Sequence, residues 1–395
     1  MKQYFFIFFF FFNFLFSYEG FIKVNGKILT DSKGKEFLIR GVNIGNWLLP
    51  EGYMWQFSSS SVDRPRRIEK LIIDLIGEVK AKEFWKKYRD NYITEKDIEL
   101  IAKSGFNTIR LPINYRLFLE EDSLKLKEEG FLYIDRLLNW CKKYNLFLVI
   151  DLHAAAGGQT GANIDDSEND KPELFFNEIY ENMTIFLWRE VARRYRNERN
   201  ILAYDLLNEP LPAKDANYPL YSKLEPLYKK ITKAIREFDT NHIITIEGAN
   251  WATDFSVFGS PFDSNLLYQF HKYWNKTDDE SIKPFIEFRN KYNVPIWCGE
   301  TGENNNEWYK SNFRLLERHN IGWAFWPWKK LYAFNCPYSI KFPYGWGKII
   351  NYARYGVKPS VEESEEILSN FLENLLVENC EYNEEVLEAI FNIKK

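Results

Sequence analysis

The sequence predicts an α/β fold, a (β/α)8 barrel of the TIM type. Three observations lead there. Eight short apolar runs recur along the 395 residues, alternating with segments of helical periodicity. The runs are continuously apolar, as parallel strands covered by outer helices must be. No glycine-rich phosphate loop follows the first run, which disfavours a doubly wound open sheet.

The elements follow in order. GFIKVNGKILTDSKGKEFLIRGVN (20–43) alternates and turns at Asn25-Gly26 and Lys33-Gly34, so it reads as an N-terminal β-hairpin leading into a first buried strand, 37–43. A long insertion, 50–91, separates this strand from the helix-like ITEKDIELIAKSG and the second strand, FNTIRLPI (106–113). FLYIDRLLNWCKKYN precedes LFLVIDLH (146–153), and a long polar connection, 154–180, comes after it. Connections this long are usually functional or mobile. MTIFLWREVARRYRN precedes ILAYDLLNE (201–209), and a helix over 218–238 precedes HIITIEGA (242–249). LLYQFHKYW (266–274), PIWCGET (295–301) and IGWAFWPW (321–328) complete the eight. A helix over 360–376 and one or two further helices close the chain.

The first seventeen residues, MKQYFFIFFFFFNFLFS, have an early Lys, an apolar run and a terminal Ser, the pattern of a secretory signal. The run is short for a membrane span. An uncleaved anchor is the alternative, since Leu15 is not a small residue. Residues 18–395 read as one domain, with no repeat and no linker rich in Pro, Gly or Ser. A net charge of -4, mixed along the chain, argues against a nucleic-acid partner. Four widely spaced cysteines fit neither a metal site nor a small disulfide scaffold, and the sequence does not pair them. No metal or cofactor motif is present, no stable membrane partner is expected, and a monomer is.

In such barrels the chemistry lies at the carboxyl ends of the strands. Those positions hold Asn43, Arg110, His153, Asn208 with Glu209, Glu247 with Trp251, His271 with Tyr273, Glu300, and Trp326. Glu209 and Glu300 end the fourth and seventh strands, within reach of one ligand across the mouth. Two carboxyl groups flanking a glycosidic bond can act as acid and nucleophile. The acid needs a raised pKa and the nucleophile a nearby cation, for which Arg110 is the candidate. Structural salt bridges are the other reading of such a pair.

Asn208-Glu209-Pro210 after an apolar strand, with Glu300 after Trp297-Cys298-Gly299, resembles glycoside hydrolase family 5, a family of retaining barrel glycosidases. The resemblance runs from Arg40-Gly41-Val42-Asn43 to Trp326 and includes GFNTIRLP, IDLHAAAG, IEGANW and His271-Lys272-Tyr273. It implies that Glu209 is the acid/base and Glu300 the nucleophile. It implies that Arg110 and Tyr273 hold Glu300, that Asn208 binds the sugar 2-hydroxyl, and that His153 and His271 line the cleavage point. Trp326 would floor the sugar, with Trp328 as its rival and a cis peptide before Pro327. Asn43 and Trp251 complete the residues expected to bind substrate. Trp47, Trp55, Trp251 and Trp274 are expected to stack sugars around the mouth, Glu51 to meet a sugar or a local cation, and Glu303 to reach substrate or Lys329. The implied substrate is a β-linked glucan cut in cellulase (endo-β-1,4-glucanase) fashion. An exo-β-1,3-glucosidase, to which RGVNIGNWL is similar, a β-mannanase and an inactive carbohydrate-binding barrel are the alternatives.

Overall fold

A computed structural model describes residues 18–392, so the signal assigned to residues 1–17 lies outside the described residues. The hairpin forms a small antiparallel sheet, β1 (Lys23–Asn25), β2 (Ile28–Thr30) and β3 (Glu36–Phe37). The eight expected strands follow: β4 (Arg40–Asn43), β5 (Thr108–Asn114), β6 (Phe147–Ala154), β7 (Ile201–Asp205), β8 (Ile243–Glu247), β9 (Leu266–His271), β10 (Ile296–Gly302) and β11 (Gly322–Trp326). They close into a parallel barrel in chain order, β11 pairing back onto β4. Ile22, Leu29, Phe37 and Ile39 pack with Val149, Leu202, Ile243 and Trp297, so the hairpin contributes apolar side chains to the barrel's own core.

The insertion after β4 is helical. Pro65 starts the helix Pro65–Ile76, where its missing N–H costs nothing, and Gly77, at φ 78°, turns the chain into the helix Glu78–Tyr92. Buried positions at three- and four-residue spacing (Ile68, Leu71, Ile72, Leu75) give the first helix one apolar face. Phe84, Trp85 and Tyr88 of the second pack around Trp55, together with Trp346 and Phe371 from the C-terminal region. This corrects the expected role of Trp47 and Trp55: both are fully buried, and Trp47 Nε1 donates to the carbonyl of Arg89.

Beyond the barrel, β12 (Lys329–Leu331), β13 (Tyr338–Ile340) and β14 (Glu381–Tyr382) form a small mixed sheet that the sequence did not suggest. The helix Glu384–Phe391 places Phe391 against Phe106 and Trp323, as the expected C-terminal packing requires. All four cysteines are unpaired, three of them buried. Among the described residues, no helix is long and apolar enough to cross a membrane.

Candidate active site

At the carboxyl end of the barrel lies a cavity of about 650 Å³. Glu209 and Glu300 both line it, with His153, His271, Tyr273 and Trp326. Each carboxylate is presented by a local departure from regular backbone. β7 ends at Asp205, and the chain runs on to Glu209 in the left-handed region, φ 44°, where its N–H donates to Glu247 Oε2 at 2.6 Å. In β10 the register shifts between Cys298 and Glu300, a bulge of the kind that re-aims a side chain. Gly299 allows it: a Cβ there would stand 2.2 Å from Cδ of Gln269.

Beneath the cavity Arg110, fully buried, organises the carboxylates. Its Nη1 donates to Glu300 Oε1 (2.5 Å) and to Asn43 Oδ1 (3.1 Å). Its Nη2 reaches Asn208 Oδ1 (2.9 Å), Glu247 Oε1 (3.0 Å) and Asp151 Oδ2 (3.1 Å), and its Nε Asp205 Oδ2 (2.8 Å). Four carboxyl groups cannot all be ionised around one guanidinium. Burial holds Asp151 and Asp205 well above the ordinary carboxylate range despite Arg110. Burial also acts on Glu300, but His271 and Arg110, with the hydrogen bond from Tyr273, outweigh it and lower its pKa. The Tyr273 hydroxyl donates to Glu300 Oε2 at 2.6 Å.

Glu209 has the opposite balance. Burial raises its pKa, and His271, 2.7 Å away through Nδ1, only partly offsets this. On His271 burial opposes charge, yet Glu247 and Glu300, with hydrogen bonds to Glu209 and Glu247, raise the imidazole well above its usual value. His153 is the contrasting histidine: burial lowers it to about 4, so it is neutral, donating from Nδ1 to Asp151 at 2.7 Å. Its Nε2 then accepts from Asn208 Nδ2 at 3.2 Å, and its ring stacks on Trp326 at 5.6 Å and 9°. Oxygens of Glu209 and Glu300 and a nitrogen of His271 all lie within 4.8 Å of one another, the one cluster of metal-ligand type among the described residues.

The remaining expectations divide. Trp326 lines the cavity, its peptide to Pro327 is cis, and its indole donates to Tyr53. Trp328 is buried elsewhere, donating to Asp97. Trp251 and Trp274 line the cavity; Trp251 sits in three successive left-handed residues, Asn250 to Ala252. Asn43 and Asn208, expected to bind substrate, are fully buried beneath it, and so is Arg110. Asn43 bonds the carbonyls of Gly299 and Phe325, and these residues position rather than line. Glu303 lines the cavity but pairs with Lys330 at 2.6 Å, while Lys329 is held by Asp97. Glu51 lines the cavity and has no cation partner among the described ion pairs. Sequence reasoning missed Asp151, Asp205 and Gln269, charged or amide residues inside apolar strands, and named Glu247 without a role.

The family described as cellulase (glycosyl hydrolase family 5) matches residues 76–331. Endoglucanase C of Acetivibrio thermocellus is 31% identical over 311 residues, 63% of this chain and 87% of that protein. A β-xylosidase of Phanerodontia chrysosporium is 26% identical over 348 residues, 79% of this chain and 71% of that protein. In fold, the chain is similar to Thermotoga maritima Cel5A, solved with mannotriose (TM-score 0.57, 20% identity, 89% of this chain and 97% of that one). It is also similar to the rutinosidase of Aspergillus niger (TM-score 0.58, 18% identity, 75% of this chain and 90% of that one). The chain belongs to glycosyl hydrolase family 5, and it is a glycoside hydrolase.

Proposed function

We propose that this is an exported, monomeric retaining β-glycosidase that cleaves β-linked glucan by double displacement. One observation carries the reading: one oxygen of Glu209 and one of Glu300 lie within 4.8 Å of each other. Carboxyl groups about 5–5.5 Å apart belong to retaining enzymes, whereas inverting enzymes need about 6.5–9.5 Å to admit a water. The opposed pKa directions support the division of roles. Glu209 gives its proton to the leaving oxygen as Glu300 attacks the anomeric carbon and the glycosidic bond breaks. Glu209 then takes a proton from water, which attacks the same carbon and releases Glu300. The N-terminal pattern of residues 1–17 supports export.

Glu209→Ala should slow hydrolysis of glucans by about 10²–10⁴-fold, the usual contribution of a positioned acid. On an activated aryl glycoside, azide should restore much of the rate and yield the β-glycosyl azide. The sign of the pH effect follows from the raised pKa: the wild type loses activity as pH rises and Glu209 gives up its proton, and the variant should lack that alkaline fall. No azide product, or an unchanged alkaline limb, would remove Glu209 from the role.

A second reading, release of terminal glucose from β-1,3-glucan, is favoured by Glu51. The insertion delivers it to the cavity, pinned through its N–H to Asn46 Oδ1 at 3.1 Å. It is 1% exposed, and its Oε1 has no hydrogen-bond partner. Burial, with Glu300 and Glu303 nearby, raises its pKa, so it carries a proton and offers a donor and an acceptor to a sugar hydroxyl. Tyr53 lines the cavity with it. Glu51→Ala should lower kcat/KM by about tenfold, the order expected for one hydrogen bond to an uncharged ligand. The products of carboxymethyl cellulose, mixed-linkage β-glucan, laminarin and glucomannan decide between readings. Mixed oligosaccharides from a β-1,4 substrate mean an open cleft, and glucose alone from laminarin means a pocket.

A further inference from the structure

The chain leaves β11 at the barrel mouth and enters β12, whose alternation buries Lys329 and Leu331 and turns Lys330 to the other face. Lys330 pairs with Glu303 on the cavity wall and lies 4.3 Å over the ring of Tyr53, another wall residue. Two residues on, Tyr332 stands 54% exposed. Its ring meets those of Phe334 and Phe342 edge-on, at 5.3 and 5.4 Å, and these are 58% and 41% exposed. The three rings form one external cluster on the active face.

The platform is anchored. Tyr332 donates its N–H to the carbonyl of Ile340 at 2.8 Å, the Ala333 N–H reaches Ser339 Oγ at 3.1 Å, and Leu331, Cys336 and Ile340 are buried beneath. Tyr332 lies at φ 48°, a conformation uncommon for a bulky residue, which persists only where its surroundings hold it. A contiguous exposed apolar patch of a few hundred Å² is often functional. Half-exposed aromatics of this size offer roughly 300 Å² together, well short of the roughly 800 Å² per partner of a stable protein interface. The face of a pyranose ring, with its C–H groups and a rim of hydroxyls, suits a site of this size.

We propose that Tyr332, Phe334 and Phe342 form a surface site that holds a β-glucan chain outside the catalytic cavity, behind the wall formed by Glu303, Lys330 and Tyr53. The proposal rests on the glucan reading of the cavity, and it serves either product pattern: a polymer held here keeps its cleavable bonds or its ends near the mouth.

The test is the double variant Phe334→Ala/Phe342→Ala, which leaves the buried anchors intact. Wild-type protein should be retarded in native gels containing mixed-linkage β-glucan or laminarin. The variant should bind at least about tenfold more weakly, as expected for two lost stacking contacts. Its kcat/KM on the polymer should fall with the binding, while that on 4-nitrophenyl β-cellobioside or β-glucoside stays within about twofold of wild type. Equal retardation of both proteins, or no retardation of a wild type that cleaves the aryl glycosides, would overturn the site and leave the enzyme reading standing. A wild-type dimer by light scattering that the variant dissolves would also overturn it, assigning the rings to self-association. Retardation that the variant loses, in a protein that cleaves no β-glucoside or β-cellobioside, would keep the site and sink the catalytic reading.

Discussion

Glu300→Gln should abolish turnover on every substrate, by at least about 10⁴-fold, while substrate still binds; removal of an attacking side chain elsewhere costs about that or more. The substitution keeps volume and one oxygen, so Arg110 and Tyr273 retain a partner. It removes the negative charge that these two groups and His271 stabilise. A neutral amide cannot form the ester on which double displacement depends. An activated 2-deoxy-2-fluoro β-glucoside separates this from general damage. Wild-type protein should gain the mass of one glycosyl group, located by peptide mapping to Glu300, and the variant should gain none. Calorimetry of the variant with an oligosaccharide should still show binding. Label on another carboxylate, or turnover within tenfold of wild type, would end the assignment.

The barrel and the two glutamates were legible because both are written locally. A continuous apolar strand needs only a short window, and the polar residue at its end falls within that window. Glu209 and Glu300 therefore stand out as strand-end carboxylates in AYDLLNEP and WCGET, and the family resemblance supplies the roles expected of them. The level below was written in the same strands as Asp151, Asp205 and Gln269, polar letters inside VIDL, AYDL and YQFH. Asp151 and Asp205 take their meaning from Arg110 reaching them from β5, and Gln269 from Glu247 on β8, contacts no single window contains. The misreading of Trp47 and Trp55 has the same root. A loop tryptophan before a polar stretch looks available to a sugar, yet Trp55 is enclosed by Trp85, Tyr88, Trp346 and Phe371 from distant segments. The sheet β12–β14 is not legible in the sequence because strands of two or three residues carry no period.

Arg110→Met should cost the most in stability among the residues of the site. The guanidinium is fully buried and meets Asp151, Asp205, Glu247 and Glu300, each itself buried. Breaking a buried charge network from one side costs about 3–5 kcal/mol, because the partners keep the desolvation penalty and lose the attraction. Met fills much of the volume, so the loss is electrostatic rather than a cavity effect. Asp151 and Asp205, already raised by burial, can take up protons, which sets the cost at the lower end. Glu300 can do the same only at the expense of catalysis: its pKa rises without Arg110, and a protonated Glu300 is no nucleophile. Urea titration should show the stability loss, and activity should fall further than stability, most steeply at low pH where Glu300 first takes up its proton. Arg110→Lys should recover part of the stability but little activity, since one ammonium cannot hold Glu300, Asn208 and Asp205 together. Undiminished stability in Arg110→Met would mean that the carboxyl groups around it are neutral in the folded protein, and that Glu300 owes its charge to His271 and Tyr273 instead.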